Sequence, residues 1–279
     1  MTYAQTFDRQ LVVLELDGAV VNDHTPSELI RAGFPLEPER YEQALDMYHK
    51  ETTGNAKPEE ALLHYSTLAR GMTLRRAIEY ATFKMRFIND FETFIEMLYR
   101  KNIPVLLVSS GFSIITETVR QLHGSDRFQA VMANPLVFGL QNKPEIVISE
   151  EKLMSLVHRY HHRARDHKSY DKMVATGDCN ILNADPLKKA SFISKLAMDL
   201  NIPFQAVTYV CSNPKDRGTL FSIIRSRGRA VVFNFEESME NIIRECTKDH
   251  TSEYAIQFTT PKSRRANLCR VFEILFPDG

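Results

Sequence analysis

Leu11-Val12-Val13-Leu14-Glu15-Leu16 is a short, mostly apolar run, rich in β-branched residues and closed by Asp17-Gly18. The pattern predicts a buried strand that ends in a turn. From Pro26 to about Asn89 the apolar residues change period. Tyr41, Ala44, Leu45 and Tyr48 share one helical face, as do Ala61, Leu62, Tyr65 and Leu68, and then Ile78, Ala81, Thr82 and Met85. Spacings of three and four predict amphipathic helices, and Gly54-Asn55, Pro58 and Gly71 mark the turns between them. From Asp90 the two periods alternate. Helix 91–100 leads to strand 103–108, helix 113–122 and strand 128–132. Short strands near Leu136 and at Ile146-Val147-Ile148 precede a helix over 150–165. Helix 187–200, strand 206–211, helix 215–225, strand 230–233 and helix 236–246 complete the series. Strands separated by helices of this length require crossover connections, which predicts a parallel sheet covered on both faces. The fold class is α/β, with a core of residues 1–22 and 90–279 and an all-helical insertion at 23–89.

Composition narrows the partners more than the fold. Lys+Arg and Asp+Glu balance at 35 each, so there is no net pull toward nucleic acid or a membrane surface, and neither is expected as a partner. No apolar run approaches the roughly 20 residues of a membrane helix. The four cysteines are widely spaced without a CxxC pair, which favours reduced thiols over a disulfide scaffold or zinc knuckle. Residues 1–10 are polar and carry no apolar signal region. These features predict a cytoplasmic protein.

In open α/β sheets the working residues gather at the carboxyl ends of the strands. Three strand ends carry polar residues here: Glu15-Leu16-Asp17-Gly18-Ala19, Ser109-Ser110-Gly111-Phe112 and Cys211-Ser212-Asn213-Pro214-Lys215-Asp216. Lys188 and Lys189 lie near the start of the helix before the third. By themselves these are bland features. Asp17-Gly18 reads as a turn, Lys189 as a solvated helix residue, and Ser109-Ser110-Gly111 as a turn and helix N-cap. That last geometry would also hold an anion at the helix start.

Together, in order and spacing, the segments resemble the motifs of the haloacid dehalogenase (HAD) superfamily, in its phosphoserine-phosphatase-like branch. The resemblance spans about residues 11 to 235 and includes Ala133-Asn134-Pro135-Leu136-Val137-Phe138. It implies a Rossmann-like core with a parallel sheet, an inserted helical cap domain at 23–89, and Mg²⁺-dependent hydrolysis of phosphomonoesters. It further implies catalytic roles at Glu15, Asp17, Ser109, Lys189 (or Lys188) and Asp216. Ser109, Ser110, Gly111 and Lys189 would bind the ligand, and Glu15, Asp17 and Asp216 the metal.

The sequence departs from the family pattern where the chemistry is concentrated. Glu15 stands where the family has its nucleophilic aspartate, and Ser212 where it has a metal-binding aspartate. Cys211 and Asn213 replace two glycines. Glu15 is one methylene longer than Asp, and a displacement of about 1 Å at a reacting group can cost about 100-fold in rate. The neutral hydroxyl of Ser212 is a poor substitute for a carboxylate toward a hard cation. Weak or lost Mg²⁺ is therefore expected, with Lys189 holding the surviving carboxylates by direct ion pairing.

Three functions follow. The first is a pseudophosphatase that binds a small phosphorylated molecule or a protein partner. The second is a surviving Mg²⁺-dependent phosphomonoesterase acting on a small phosphorylated metabolite. The third is an enzyme of another class that reuses Asp17 as acid/base.

Two further segments stand out. Val174-Ala175-Thr176-Gly177-Asp178 imitates the motif of the third strand end, but the lysine-bearing helix would then follow it rather than precede it, so it is set aside. The run His158 to Lys168 is rich in His and Arg. Such runs are usually solvated, although His158 and His162 have the i, i+4 spacing of a metal chelate and the whole run suits an anionic contact.

Overall fold

In the computed structural model, which describes residues 9–235, 237–248, 256–258 and 266–277, the first apolar run becomes β1 (Leu11–Glu15), buried along its whole length. Four helices follow: α1 (Thr25–Gly33), α2 (Pro38–Thr52), α3 (Pro58–Leu68) and α4 (Leu74–Glu79), the last running into a π-turn at Tyr80–Lys84. The chain continues through α5 (Phe91–Arg100), β2 (Val105–Phe112), α6 (Ser113–Leu122), β3 (Ala130–Asn134), β4 (Leu136–Leu140) and β5 (Lys143–Ile148). Next come α7 (Glu150–His162), α8 (Ser169–Lys172), β6 (Met173–Cys179), α9 (Pro186–Asp199) and β7 (Val207–Cys211). The described chain closes with α10 (Arg217–Arg225), β8 (Arg229–Val232), α11 (Ser238–Lys248), β9 (Ile256–Phe258) and α12 (Cys269–Leu275).

Six strands form one sheet in the order β3-β2-β1-β7-β8-β9, and every described pairing in it is parallel. The parallel sheet expected from the alternation is thus present, with β1 at its centre. Side chains alternate across a strand, and β1 divides accordingly. Val12 and Leu14 enter one hydrophobic core, Leu11 and Val13 the other. A strand buried on both faces reads as continuously apolar, which is why its signal was clear. α5 and α6 supply the first core and α9 and α10 the second.

The inserted helices share the first core through Leu29, Ile30, Leu62, Leu74 and Ile78. They also lie over the carboxyl ends of β1 and β7. The backbone N–H of Thr25 donates to Asp17, and Asn213 Nδ2 donates to the Tyr48 hydroxyl. A second, antiparallel sheet in the order β5-β4-β6 abuts the insertion, where the Gly71 N–H donates to the Ala175 carbonyl and the Ala175 N–H donates to the Met72 carbonyl. The segment imitating the third strand end is β6 of this small sheet, remote in topology from β1.

Several boundaries differ from expectation. β2 runs to Phe112 instead of stopping at Val108, and β3 starts two residues late. Asn134 accounts for the first, since its side chain donates to the carbonyls of Ser110 and Gly111 and holds the two strand ends together. Helix α6 is consequently N-capped by Phe112 without a side-chain hydrogen bond, and the serines do not cap it. Ser109 Oγ instead accepts from the Gly111 N–H, 3.0 Å away. α7 ends at His162, short of 165, and the segment from 215 begins as a 3-10 turn before α10. β9 and α12 were not expected. Cys179, Cys211 and Cys269 are free thiols. Among the described residues no helix is long and apolar enough to cross a membrane.

Candidate functional site

Glu15, the last residue of β1, is fully buried at the carboxyl end of the strand. Its Oε2 accepts from Lys189 Nζ at 2.8 Å and from the Tyr209 hydroxyl at 3.0 Å. Lys189 sits in the first turn of α9. Asp185 N-caps that helix through the Leu187 N–H and Pro186 follows at its first position, both ordinary start signals. Lys189 shares the buried face of α9 with Ile193 and Ala197, whereas Lys188 is exposed. That choice between the two lysines was open in the sequence. The periodicity i, i+4, i+8 was the signal that could have settled it.

Lys189 Nζ also donates to Ser110 Oγ at 3.1 Å and lies 3.6 Å from Asp216 Oδ1. It therefore bridges two of the surviving carboxylates, as buried like charges require. Burial opposes its charge, yet Glu15 and Asp216 outweigh that and raise its pKa. Asp216 fares differently. Burial, and then the Glu15 carboxylate, push its pKa up to about 7, so it titrates near neutrality. Neither of its oxygens accepts a hydrogen bond of ordinary geometry, and Glu15 Oε1 is likewise buried without one.

Asp17 faces a different cation. Lys215 Nζ donates to its Oδ2 at 3.1 Å, while the Thr25 N–H reaches Oδ1 at 3.3 Å. Burial would raise the Asp17 pKa, but Lys215 and the hydrogen bonds hold it below its usual value. Lys215 in turn is kept charged by Asp17 and, on α2, Glu51, against the cost of burial. His24 completes this side. Its ring stacks on Tyr48 at 4.2 Å between centroids, and Nδ1 is 2.8 Å from Ser27 Oγ. Burial and the nearby Lys215 lower its pKa to about 3, so the ring is neutral. A cavity of about 30 Å³, lined by Asp17, Asn22, His24, Tyr48, Ser212 and Asn234 among others, has room for a water or a monatomic ion and little more.

Ser109, buried near the end of β2, engages its hydroxyl with the Gly111 N–H of the same strand, and its carbonyl accepts from Asn183 Nδ2 at 2.8 Å. Of the sequence-derived residues, Glu15, Lys189 and Asp216 meet directly. Ser110 joins them through Lys189, and Asp17 lies beyond, paired to Lys215. Lys215, Tyr209, His24 and Tyr48 were not singled out from the sequence. Tyr209 alternates with Val207 and Cys211 along a buried strand, which reads as core.

Glu15, Asp17 and Asp216 were the expected metal ligands. Two ammonium groups stand among them, Oε2 of Glu15 and both oxygens of Asp17 are already engaged, and Ser212 contributes no charge. Among the described residues no three His, Cys, Asp or Glu side chains are grouped to hold a metal ion. As arranged, the donors do not fit Mg²⁺, which demands near-octahedral oxygen ligation.

No family model and no curated protein matches the sequence. Solved structures do match in fold. A phospho-aspartyl intermediate analogue of phosphoserine phosphatase superposes with a TM-score of 0.65 at 15% identity, over 95% of this chain and 98% of that one. A substrate-bound phosphoserine phosphatase gives 0.66 at 15% identity, over 96% and 99%. A HAD family hydrolase from Salmonella enterica subsp. enterica serovar Typhi gives 0.60 at 12% identity, over 88% of this chain and 67% of that one. The chain therefore has the fold of the phosphoserine-phosphatase-like branch of the HAD superfamily.

Proposed function

We propose that the chain is a HAD-fold pseudophosphatase, a protein that binds a ligand or partner with little or no phosphoryl transfer. One observation carries this reading: Lys189 and Lys215 are ion-paired with Glu15 and Asp17, the carboxylates that a divalent ion would need. A cation arriving there must displace an ammonium that is already paired and buried, at a cost of several kcal/mol per unpaired buried charge. The ligand class is a small phosphorylated molecule or a phosphate-bearing segment of a protein. Lys189 and the neighbouring Ser110 hydroxyl at the end of β2 support it, because a cationic donor beside a hydroxyl suits an anion. Segment 23–89 would act as the cap that closes this crevice.

A second reading, a Mg²⁺-dependent phosphomonoesterase, rests on Glu15 Oε1 and the Asp216 oxygens, which are buried without a hydrogen bond of ordinary geometry. Calorimetric titration of Mg²⁺ into the native chain and into the Glu15→Asp/Ser212→Asp variant separates the two, alongside assay of a phosphomonoester panel. The pseudophosphatase reading expects weak or absent Mg²⁺ binding and no turnover by the native chain, with a gain in the variant. Tight stoichiometric Mg²⁺ binding by the native chain, with turnover abolished by Glu15→Gln, would establish the enzyme instead.

A further inference from the structure

On the solvent side of α7, away from the crevice, His158 and His162 stand one turn apart, both exposed. Their ring centroids are 4.4 Å apart and their planes tilted by 37°. We propose that this pair is a surface chelate for a divalent transition metal of the copper–nickel class.

The spacing is the first support. A coordinating imidazole nitrogen lies about 2.0 Å from its metal, which puts the ring centroid about 3.1 Å away. Two such rings at a right angle have centroids about 4.4 Å apart, and at a tetrahedral angle about 5.1 Å. The observed 4.4 Å matches the right angle of square-planar or tetragonal Cu²⁺ and Ni²⁺ sites. Solvent would complete the coordination.

The second support is an oriented outer shell. Arg120 holds both carboxylate oxygens of buried Glu117, at 2.9 and 2.8 Å. Gln121 Nε2 donates to the same carboxylate at 2.7 Å. The amide must therefore present its oxygen to His162 Nε2, 3.2 Å away. A carbonyl oxygen only accepts, so Nε2 carries the proton and the lone pair of His162 is on Nδ1. A metal-binding histidine is characteristically fixed this way, by donating its other N–H to an anchored acceptor. His158 has no hydrogen-bond partner among the described residues that fixes its tautomer. The exposed guanidinium groups of Arg159, Arg163 and Arg165 oppose a cation. Their repulsion is screened over about 8 Å at physiological ionic strength, so it lowers the affinity without engaging Nδ1 of His162.

The test is titration of CuCl₂ into the full chain in a non-coordinating buffer, read by calorimetry and electron paramagnetic resonance, with NiCl₂ and ZnCl₂ in parallel. One Cu²⁺ per chain is expected, with a tetragonal spectrum showing two nitrogen ligands, and weaker Ni²⁺ and Zn²⁺ binding. His158→Ala and His162→Ala should each lower the Cu²⁺ affinity at least about tenfold, and Gln121→Ala about tenfold, the usual effect of losing an outer-shell partner. Both histidines are exposed, so circular dichroism of the alanine variants should match the native chain. Cu²⁺ affinity unchanged in His162→Ala, a two-nitrogen spectrum that survives it, or Zn²⁺ binding tighter than Cu²⁺ would each overturn the proposal.

Discussion

Lys215 Nζ lies 3.1 Å from Asp17 Oδ2, and the two side chains are only 4% and 2% exposed. Removing one member of a buried pair leaves the other charge uncompensated, typically at a cost of about 3–5 kcal/mol, whereas replacing both together is close to neutral. Lys215→Met should therefore lower the unfolding free energy by about 3–5 kcal/mol, and Lys215→Met/Asp17→Asn should restore most of it. Urea denaturation of the two single variants and the double variant gives the coupling energy. Additive effects would show that the contact contributes nothing.

Asp216 and His24 bend the pH profile in opposite directions. Burial and Glu15 push Asp216 up to about 7, while burial and Lys215 push His24 down to about 3. Between about pH 4 and 6.5 the folded chain holds a proton on Asp216 that the unfolded chain has lost, and lacks one on His24 that the unfolded chain has gained. Each contributes a slope of up to about 1.4 kcal/mol per pH unit, of opposite sign, so the two cancel. Asp216→Asn should expose the histidine slope, with stability falling as pH drops below about 6.5. His24→Asn should expose the aspartate slope, with stability falling as pH rises toward about 7. Melting temperatures from pH 4 to 8 would decide it, and profiles tilting the same way in both variants would contradict the assignment.

The legible part of this molecule is what short-range pattern encodes. Leu11 to Leu14 announces a strand buried on both faces, and Asp17, Ser109 and Asp216 announce themselves as polar residues at strand ends. What could not be read is what topology alone creates. Lys215, in a turn after a strand, looks solvated until β1 and β7 prove to be neighbours and bring it to Asp17 across 198 residues. Ser109-Ser110-Gly111 carries turn composition, yet it stays in strand conformation because Asn134 of the adjacent strand binds its carbonyls. β6 shares the residue order of the third strand end, and the position of the lysine-bearing helix already set it apart; its antiparallel partner β4 places it in the second sheet.

Gly18 has φ of +87°, and a Cβ there would overlap Ser212 Oγ. The left-handed conformation alone costs a non-glycine residue about 1–2 kcal/mol, and the overlap adds to it. Gly18→Ala should destabilise the chain by at least that amount, and Gly18→Ala/Ser212→Gly should recover the steric part but not the backbone part. Differential scanning calorimetry of the three chains tests this. Full recovery in the double variant would mean that the backbone at Gly18 carries no penalty.

The insertion is tied to the core by a contact that a departing residue supplies. Asn213, which replaces a glycine of the resembled motif, donates its Nδ2 to the Tyr48 hydroxyl of α2 at 3.0 Å, where the Tyr48 ring also stacks on His24. Tyr48→Phe removes the hydroxyl and keeps the stacked ring, and loss of the Asn213 hydrogen bond costs about 1 kcal/mol. Local opening of α2 should become roughly fivefold more frequent, while global stability falls by no more than that 1 kcal/mol. Hydrogen exchange resolved by peptide is the suitable readout: amides of α2 should exchange faster in Tyr48→Phe, and those of β1 and β7 should not change. Equal acceleration in the strands would mean that the insertion and the sheet open as one cooperative unit, and that this hydrogen bond does not govern the local opening of α2.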